Sequence, residues 1–173
     1  MTITLTDTEA RICAWLGEMR HKAARLAGVV DRKQGPQNAI ATDVEGIGGE
    51  LAFCKACGAW PDLTVGARSG GHDAVVCGIL FDVKTTNRPS GRMLATLGKS
   101  VDEVDAYALV CGTMPTYRIA GWCWSQELIA DVNVIDLGHG PGYGLTQDKL
   151  RPFALLASML GIQTQQARRR VGT

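Results

Sequence analysis

Apolar side chains near the start of the chain recur at helical spacing, with Ile12, Leu16, Met19, Ala23 and Leu26 on one side of a predicted helix. Thr6 followed by Glu9 supplies the hydroxyl and the carboxylate of a capping box, so the helix is expected to begin there. After Gly35 and Pro36 the spacing returns in Ile40, Val44, Ile47, Leu51 and Cys54, a second helix with one apolar face. From residue 63 the texture changes to short β-rich runs at 63–67, 74–76, 79–85, 93–97, 107–111 and 117–124, divided by Gly, Pro and Ser. A helical turn is predicted at 127–130, and a last helix at 151–160 with Pro152 in its first turn and Gly161 at its end. The pattern is that of an α/β fold, a mixed central sheet of about five strands flanked by α-helices.

At 173 residues the chain suits one domain, taken as 1–162, followed by a basic and flexible tail at 163–173 that holds Arg168, Arg169 and Arg170. Its 46% apolar and 20% charged content fits a folded chain and excludes a disordered or coiled-coil one. No apolar run reaches the roughly 18 residues of a membrane span, and the start lacks the basic and apolar regions of a signal peptide. A cytoplasmic protein with no membrane partner is the expectation, and its six cysteines then read as reduced thiols, four of them core fillers. The net charge of +1 shows no preference for polyanions, but its distribution is uneven. Residues 102–148 carry seven acids against one base, Arg118, whereas Lys84, Arg88, Arg92 and Lys99 stand together with no acid among them.

The stretch from Gly71 to Thr86 reads GHDAVVCGILFDVKTT. With Cys77 and Gly78 as a hairpin tip, Val76 faces Ile79, Val75 faces Leu80, Ala74 faces Phe81 and Asp73 faces Asp82. Directly opposed residues have Cβ atoms about 4.5–5.5 Å apart, and Lys84 lies two residues along from Asp82 on its face. Like charges opposed across a ladder are destabilising, so the pair calls for a neutralising partner, either Lys84 or a divalent cation. The triplet alone says little, since roughly 0.6 acid-x-Lys triplets are expected by chance in this composition. Asp31-Arg32-Lys33 is a second one, in a loop without strand pattern; only Asp82-Val83-Lys84 closes a β-branched run with a carboxylate opposite.

On a helical wheel Glu50 falls about 80° from the second helix's apolar stripe, at its margin, and Glu45 about 140° away, facing water. Gly46, Gly48 and Gly49, each costing about 0.8–1 kcal/mol against Ala in a helix, point to a close approach by backbone or phosphate. Asp43 is a weaker candidate for the same site as Glu50.

At these residues, GGELAF around Glu50, HD at Asp73 and ILFDVKTT with Asp82 and Lys84, the chain resembles the PD-(D/E)XK nuclease superfamily. It looks most like the family's small phage and prophage nucleases, and the likeness extends through DAYALV and YRIAGW to about residue 130. The resemblance implies a restriction-endonuclease-like core and Mg²⁺- or Mn²⁺-dependent hydrolysis of DNA phosphodiester bonds. It places the metal on Glu50, Asp73 and Asp82 and gives Lys84 the attacking water. Homodimers are common in that family. His72 stands where the name-giving proline would be, and Asp82 where glutamate is commoner. A fold of this kind that binds DNA or a protein partner without cleaving is the alternative, and a surface salt-bridge cluster is the plain structural reading.

Arg88, Arg92 and Lys99 adjoin this site and are assigned to the nucleic-acid backbone. Cys54-Lys55-Ala56-Cys57 is a C-x-x-C with no second pair at zinc-site spacing. Trp122 and Trp124 share a strand face and are read as packing residues in preference to base-stacking ones, and the glycine-rich run 138–144 as a loop. His21 and His139 read as surface residues.

Overall fold

The structure, a computed structural model, describes residues 1–28, 39–66, 71–138 and 140–162. The Asp31-Arg32-Lys33 triplet, the Gly35-Pro36 break, His139 and the arginine-rich tail lie outside the described residues. The chain runs β1 (Thr2–Thr4), α1 (Asp7–Leu26), α2 (Ala39–Cys57), β2 (Ala74–Val76), β3 (Ile79–Thr86), β4 (Met93–Thr96), β5 (Ala106–Thr113) and β6 (Thr116–Trp124). After these come α3 (Ser125–Leu128), β7 (Val134–Asp136), β8 (Pro141–Leu145) and α4 (Phe153–Met159). Five strands in the order β1-β6-β5-β3-β2 form the central sheet, in which β3 and β5 are parallel and every other pair antiparallel. The α/β class with a mixed five-stranded sheet between helices is therefore as expected.

The capping box at Thr6 and Glu9 is present, but α1 buries Cys13, Leu16, Gly17 and Arg20, a stripe about one residue round from the expected one. Leu26 is 90% exposed. The crossing with α2 decides this: a Cβ on Gly17 would lie 2.7 Å from Val44 Cγ2, so the glycine is where the two backbones meet. Helix α2 is not one-sided. Ile47, Ala52, Phe53, Cys54, Ala56 and Cys57 are all buried, because α1 covers it on one side and the sheet on the other. The helix glycines are indeed points of close approach, though by the sheet: a Cβ on Gly48 would run into the Tyr117 phenol and one on Gly49 into the Thr85 hydroxyl, while Gly46 has open space.

Glu45 does not face water. It accepts a 2.8 Å hydrogen bond from Tyr117 Oη and a 3.1 Å one from the Met114 amide, because the β5–β6 turn folds back onto the first half of α2. Burial, with this hydrogen bond second, pushes the Tyr117 phenol far up in pKa. The strand expected at 63–67 is likewise not formed over its described part, 63–66. Its backbone is engaged otherwise: Asp62 accepts from the Thr64 amide at 2.8 Å, and the Arg20 guanidinium takes the carbonyls of Asp62 (2.6 Å) and Thr64 (3.0 Å).

A second sheet, β4-β8-β7, lies over the other face of the first. The glycine-rich run read as a loop supplies most of β8: Gly142 pairs with Thr96 and Gly144 with Leu94, at positions where a Cβ would meet Ala95 O at 2.9 Å and crowd Ile135. Two cores result. Cys13, Leu16, Phe53, Phe81, Val83, Trp122 and Leu156 fill the space between the helices and the sheet, and Met93, Tyr107, Leu109, Cys123, Leu128 and Leu150 fill the other side. Trp122 is fully buried, with the Trp124 ring edge-on at 5.0 Å, which is the packing use expected of the pair.

Five cysteines, not four, are buried, and all six are free thiols. Burial pushes Cys13 to a pKa of about 11 and Cys54 and Cys123 to about 12; Cys77, at the hairpin tip, is exposed. A chromogenic disulfide reagent on the native protein is therefore expected to modify one thiol rapidly, Cys77, and the remaining five only as the protein unfolds. Two or more rapid thiols would contradict the burial pattern.

Candidate metal and phosphate site

The hairpin that carries the candidate residues has the expected register: Val76 pairs with Ile79, Val75 with Leu80 and Ala74 with Phe81. Its two tip residues both take positive φ, 50° at Cys77 and 85° at Gly78, the conformation of a tight two-residue hairpin turn. Asp73 lies just beyond the paired strand. Its amide donates to the Phe81 carbonyl at 2.7 Å, and its Oδ2 accepts from the Val83 amide at 2.8 Å. The side chain thus continues the ladder where the backbone leaves it, which holds the Asp73 carboxylate against the residue next to Asp82.

Alternation along β3 sends Phe81, Val83 and Thr85 to the helices and Asp82 and Lys84 to the opposite face. Asp82 is only 4% exposed. Lys84 Nζ stands 2.6 Å from its Oδ1 and Lys99 Nζ 3.4 Å from its Oδ2, so two ammonium groups flank one buried carboxylate. Lys99 is held in turn by Glu103 at 2.9 Å. Burial works against the Lys99 charge, but the Glu103 hydrogen bond and the Asp82 charge outweigh it and raise its pKa above the ordinary lysine value. Glu103 is lowered, chiefly by Lys99 and then by the Ser100 amide. Below this group the Tyr107 phenol is pushed to about 12 by burial and then by Asp82; its hydroxyl has no hydrogen-bond partner among the described residues.

Glu50 occupies the helix side. Arg20, 8% exposed, reaches it at 3.2 Å while also holding the 62–64 backbone. The Cys54 thiol is raised by burial and then by the charges of Glu50 and Asp73. Glu50 with Arg20 thus lies on the helix side of the sheet and Asp82 with its two lysines on the opposite face, so the three carboxylates expected to share one ion are not gathered into one group. Asp73 and His72 also line an open cleft of about 500 Å³ with Trp60 and Leu63. Asp43, the weaker candidate, is paired with His21 at 2.9 Å, and that contact half-buries His21 between α1 and α2.

The donor chemistry of the hairpin pair suits a hard cation. Asp73 and Asp82 offer carboxylate oxygens, and Mg²⁺ typically takes one or two carboxylates and fills its shell with water; Asp82 Oδ1 is buried with the Lys84 ammonium beside it, which an ion would have to displace or share. Among the described residues no three His, Cys, Asp or Glu side chains converge as a ready-made metal group. Cys54 and Cys57 are both buried in the helix–sheet core.

Of the basic residues assigned to nucleic acid, Arg88 and Arg92 are exposed in the turn after β3, whose backbone is held by Arg118 and Gln147. Lys99 reaches into the site itself. Its bond to Asp82 was not legible from spacing, nor was the part of Tyr107. The i, i+4 relation of Lys99 and Glu103 was the available signal for that pair. Arg20 gave no signal, since a lone arginine on a helix ordinarily reads as surface.

No helix among the described residues is long and apolar enough to cross a membrane. No protein-family model matches this chain, and no curated protein matches it.

Proposed function

We propose that the chain is a divalent-metal-dependent nuclease that hydrolyses DNA phosphodiester bonds, of the kind that processes phage or prophage DNA. The observation that carries this is Asp82, buried on a sheet face with Lys84 at 2.6 Å and with the Asp73 carboxylate bonded to the next residue's amide. A buried carboxylate is costly unless it is paired, and a lysine so placed does chemistry with little reorganisation. Asp73 and Asp82 would hold the Mg²⁺ or Mn²⁺, and Glu50, held by Arg20 on the helix side, would extend the shell. The ion, when bound, supplies Lewis-acid polarisation of the phosphoryl oxygen and a water of lowered pKa. Lys84 orients the attacking water and offsets the negative charge that grows on the phosphoryl oxygens. Lys99, steadied by Glu103, meets the phosphate from the other side of Asp82.

A second reading, a nuclease-like fold that holds DNA without cutting it, is favoured by one observation: Lys84 and Lys99 already neutralise Asp82. Incubation with linear, circular and single-stranded DNA and Mg²⁺ or Mn²⁺ separates the two. The nuclease reading expects cleavage of at least one substrate that is stopped by chelator; binding to all with cleavage of none supports the second.

Arg88 and Arg92 carry the backbone contacts. Each alanine variant is expected to weaken DNA binding about equally for all sequences and to reduce the slope of log K against log salt by about 1, from titrations at several salt concentrations. An unchanged slope in both would remove them from the interface.

A further inference from the structure

The turn that joins β3 to β4 is held more firmly than its place on the surface explains. Residues 87–90 and Arg92 are exposed, and Gly91 alone among them is buried. The backbone of the turn nevertheless engages two side chains from other elements. Gln147, in one turn of 3₁₀ helix (Gln147–Lys149) between β8 and α4, donates from Nε2 to the carbonyls of Pro89 at 2.8 Å and Gly91 at 2.9 Å. Arg118 on β6 donates from Nη2 to the same Pro89 carbonyl at 2.7 Å and to Gln147 Oε1 at 3.0 Å, which fixes the carboxamide itself. Within the turn the Arg88 amide donates to Thr86 Oγ1 at 3.2 Å and the Gly91 amide to the Arg88 carbonyl at 2.9 Å. A Cβ on Gly91 would meet the Thr86 methyl at 2.5 Å and the Arg88 carbonyl oxygen at 3.0 Å, so the turn closes tightly on the end of β3. Because β3 carries Lys84 and ends at Thr86, holding the turn also fixes where Arg88 stands relative to Lys84.

Exposed turns are ordinarily mobile. Residues 87–92 add no side chain to either core, so the bonds from Gln147 and Arg118 preserve chiefly the placement of what the turn displays. It displays Arg88 and Arg92. Neither guanidinium forms an ion pair or hydrogen bond among the described residues, although the Arg92 charge reaches Asp148. A loop that must be ordered as it binds loses affinity to that ordering, and one held beforehand does not. We infer that Gln147, braced by Arg118, is a positioning residue for nucleic-acid binding: its carboxamide holds residues 87–92 in the form in which Arg88 and Arg92 meet the phosphate backbone. This deepens the nuclease reading and rests on its choice of nucleic acid as ligand.

The test is fluorescence-anisotropy titration of the full chain, in chelator, with a labelled DNA duplex and with its single strand. Gln147→Met keeps the length of the side chain and removes its donor and acceptor without adding charge. It should weaken the tighter of the two complexes about tenfold and leave the slope of log K against log salt unchanged, because the same phosphates are met once the turn has been ordered. In a chain that already carries Arg88→Ala and Arg92→Ala, the same change should alter affinity less than about twofold, since the turn then has nothing to position. An unchanged affinity in Gln147→Met, or an equal loss with and without the two arginines, would overturn the proposal. The unsubstituted protein gives an independent reading through hydrogen exchange at the Gly91 amide. Slow exchange with and without DNA is expected, and free exchange that slows only when DNA is added would show a turn ordered by its ligand, against the proposal. Because no metal is present, these results are independent of turnover. DNA cleavage with full affinity in Gln147→Met rejects the positioning role and keeps the nuclease. Weakened binding in Gln147→Met without cleavage of any DNA keeps the positioning role and rejects the nuclease, and an unsubstituted chain that binds neither DNA overturns both.

Discussion

On the proposed nuclease reading, Lys84→Ala is expected to lower metal-dependent DNA cleavage by about 10²–10³-fold, the usual cost of removing one positioned group that stabilises charge in the transition state. Asp82→Asn is expected to do the same from the other side, by weakening an oxygen donor to the proposed ion. Neither change should be confused with unfolding. Asp82 has two cationic partners, so loss of Lys84 leaves Lys99 3.4 Å from its Oδ2. The Lys84 side chain is itself 32% exposed, so in Asp82→Asn it turns to water. Each variant should therefore retain a cooperative unfolding transition, with a stability loss of no more than about 3 kcal/mol. Gel-based cleavage rates with Mn²⁺ and Mg²⁺, beside urea unfolding of the same preparations, check both halves. Undiminished cleavage in the two variants would remove Asp82 and Lys84 from the chemistry.

The largest effect on the fold is expected at Trp122. Its indole is fully buried between the Phe81 ring, edge-on at 6.5 Å, and the Trp124 ring, with the Arg151 guanidinium 5.5 Å from its centroid. Trp122→Ala empties the middle of the helix–sheet core and should cost about 3–5 kcal/mol. For a chain of this size that is a fall of roughly 6–20 °C in Tm. Trp122→Phe should cost less, because the indole N–H has no partner among the described residues and phenylalanine removes a buried donor along with some volume. Scanning calorimetry of the two variants decides this. A Tm unchanged in Trp122→Ala would mean the residue is not the packing centre described, and would reopen a role in base stacking.

The β2–β3 hairpin was legible in the sequence because its tip and its pattern agree: a two-residue turn at Cys77-Gly78 leaves one register for the alternating run on either side. The capping box of α1 was legible for the same local reason. Long-range effects were not. Which side of α1 is buried depends on where Gly17 meets Val44, and the surroundings of Glu45 depend on a turn 69 residues away that brings Tyr117 and Met114 over α2. β8 was hidden because Gly142 and Gly144 are the small residues that close packing against Ala95 and Ile135 requires, and small residues read as loop. The site follows the same division. Asp82 and Lys84 share a face of β3 as their spacing implied, whereas Asp73, expected to face Asp82, stands just outside the ladder with its carboxylate on the Val83 amide. The second lysine at Asp82, the phenol beneath it and the arginine that holds Glu50 come from other elements, joined only by the tertiary fold.

The central claim is that Asp73 and Asp82 jointly hold a divalent ion. A crystal of the protein soaked in Mn²⁺ and measured for anomalous scattering tests it most directly. The account predicts one strong anomalous peak at the edge of β3 with a carboxylate oxygen of each aspartate at about 2.1 Å, near the distance of hard divalent cations of this size. It also predicts the loss of that peak in Asp82→Asn. A peak bound elsewhere, or no peak between Asp73 and Asp82 at millimolar Mn²⁺, would contradict the claim.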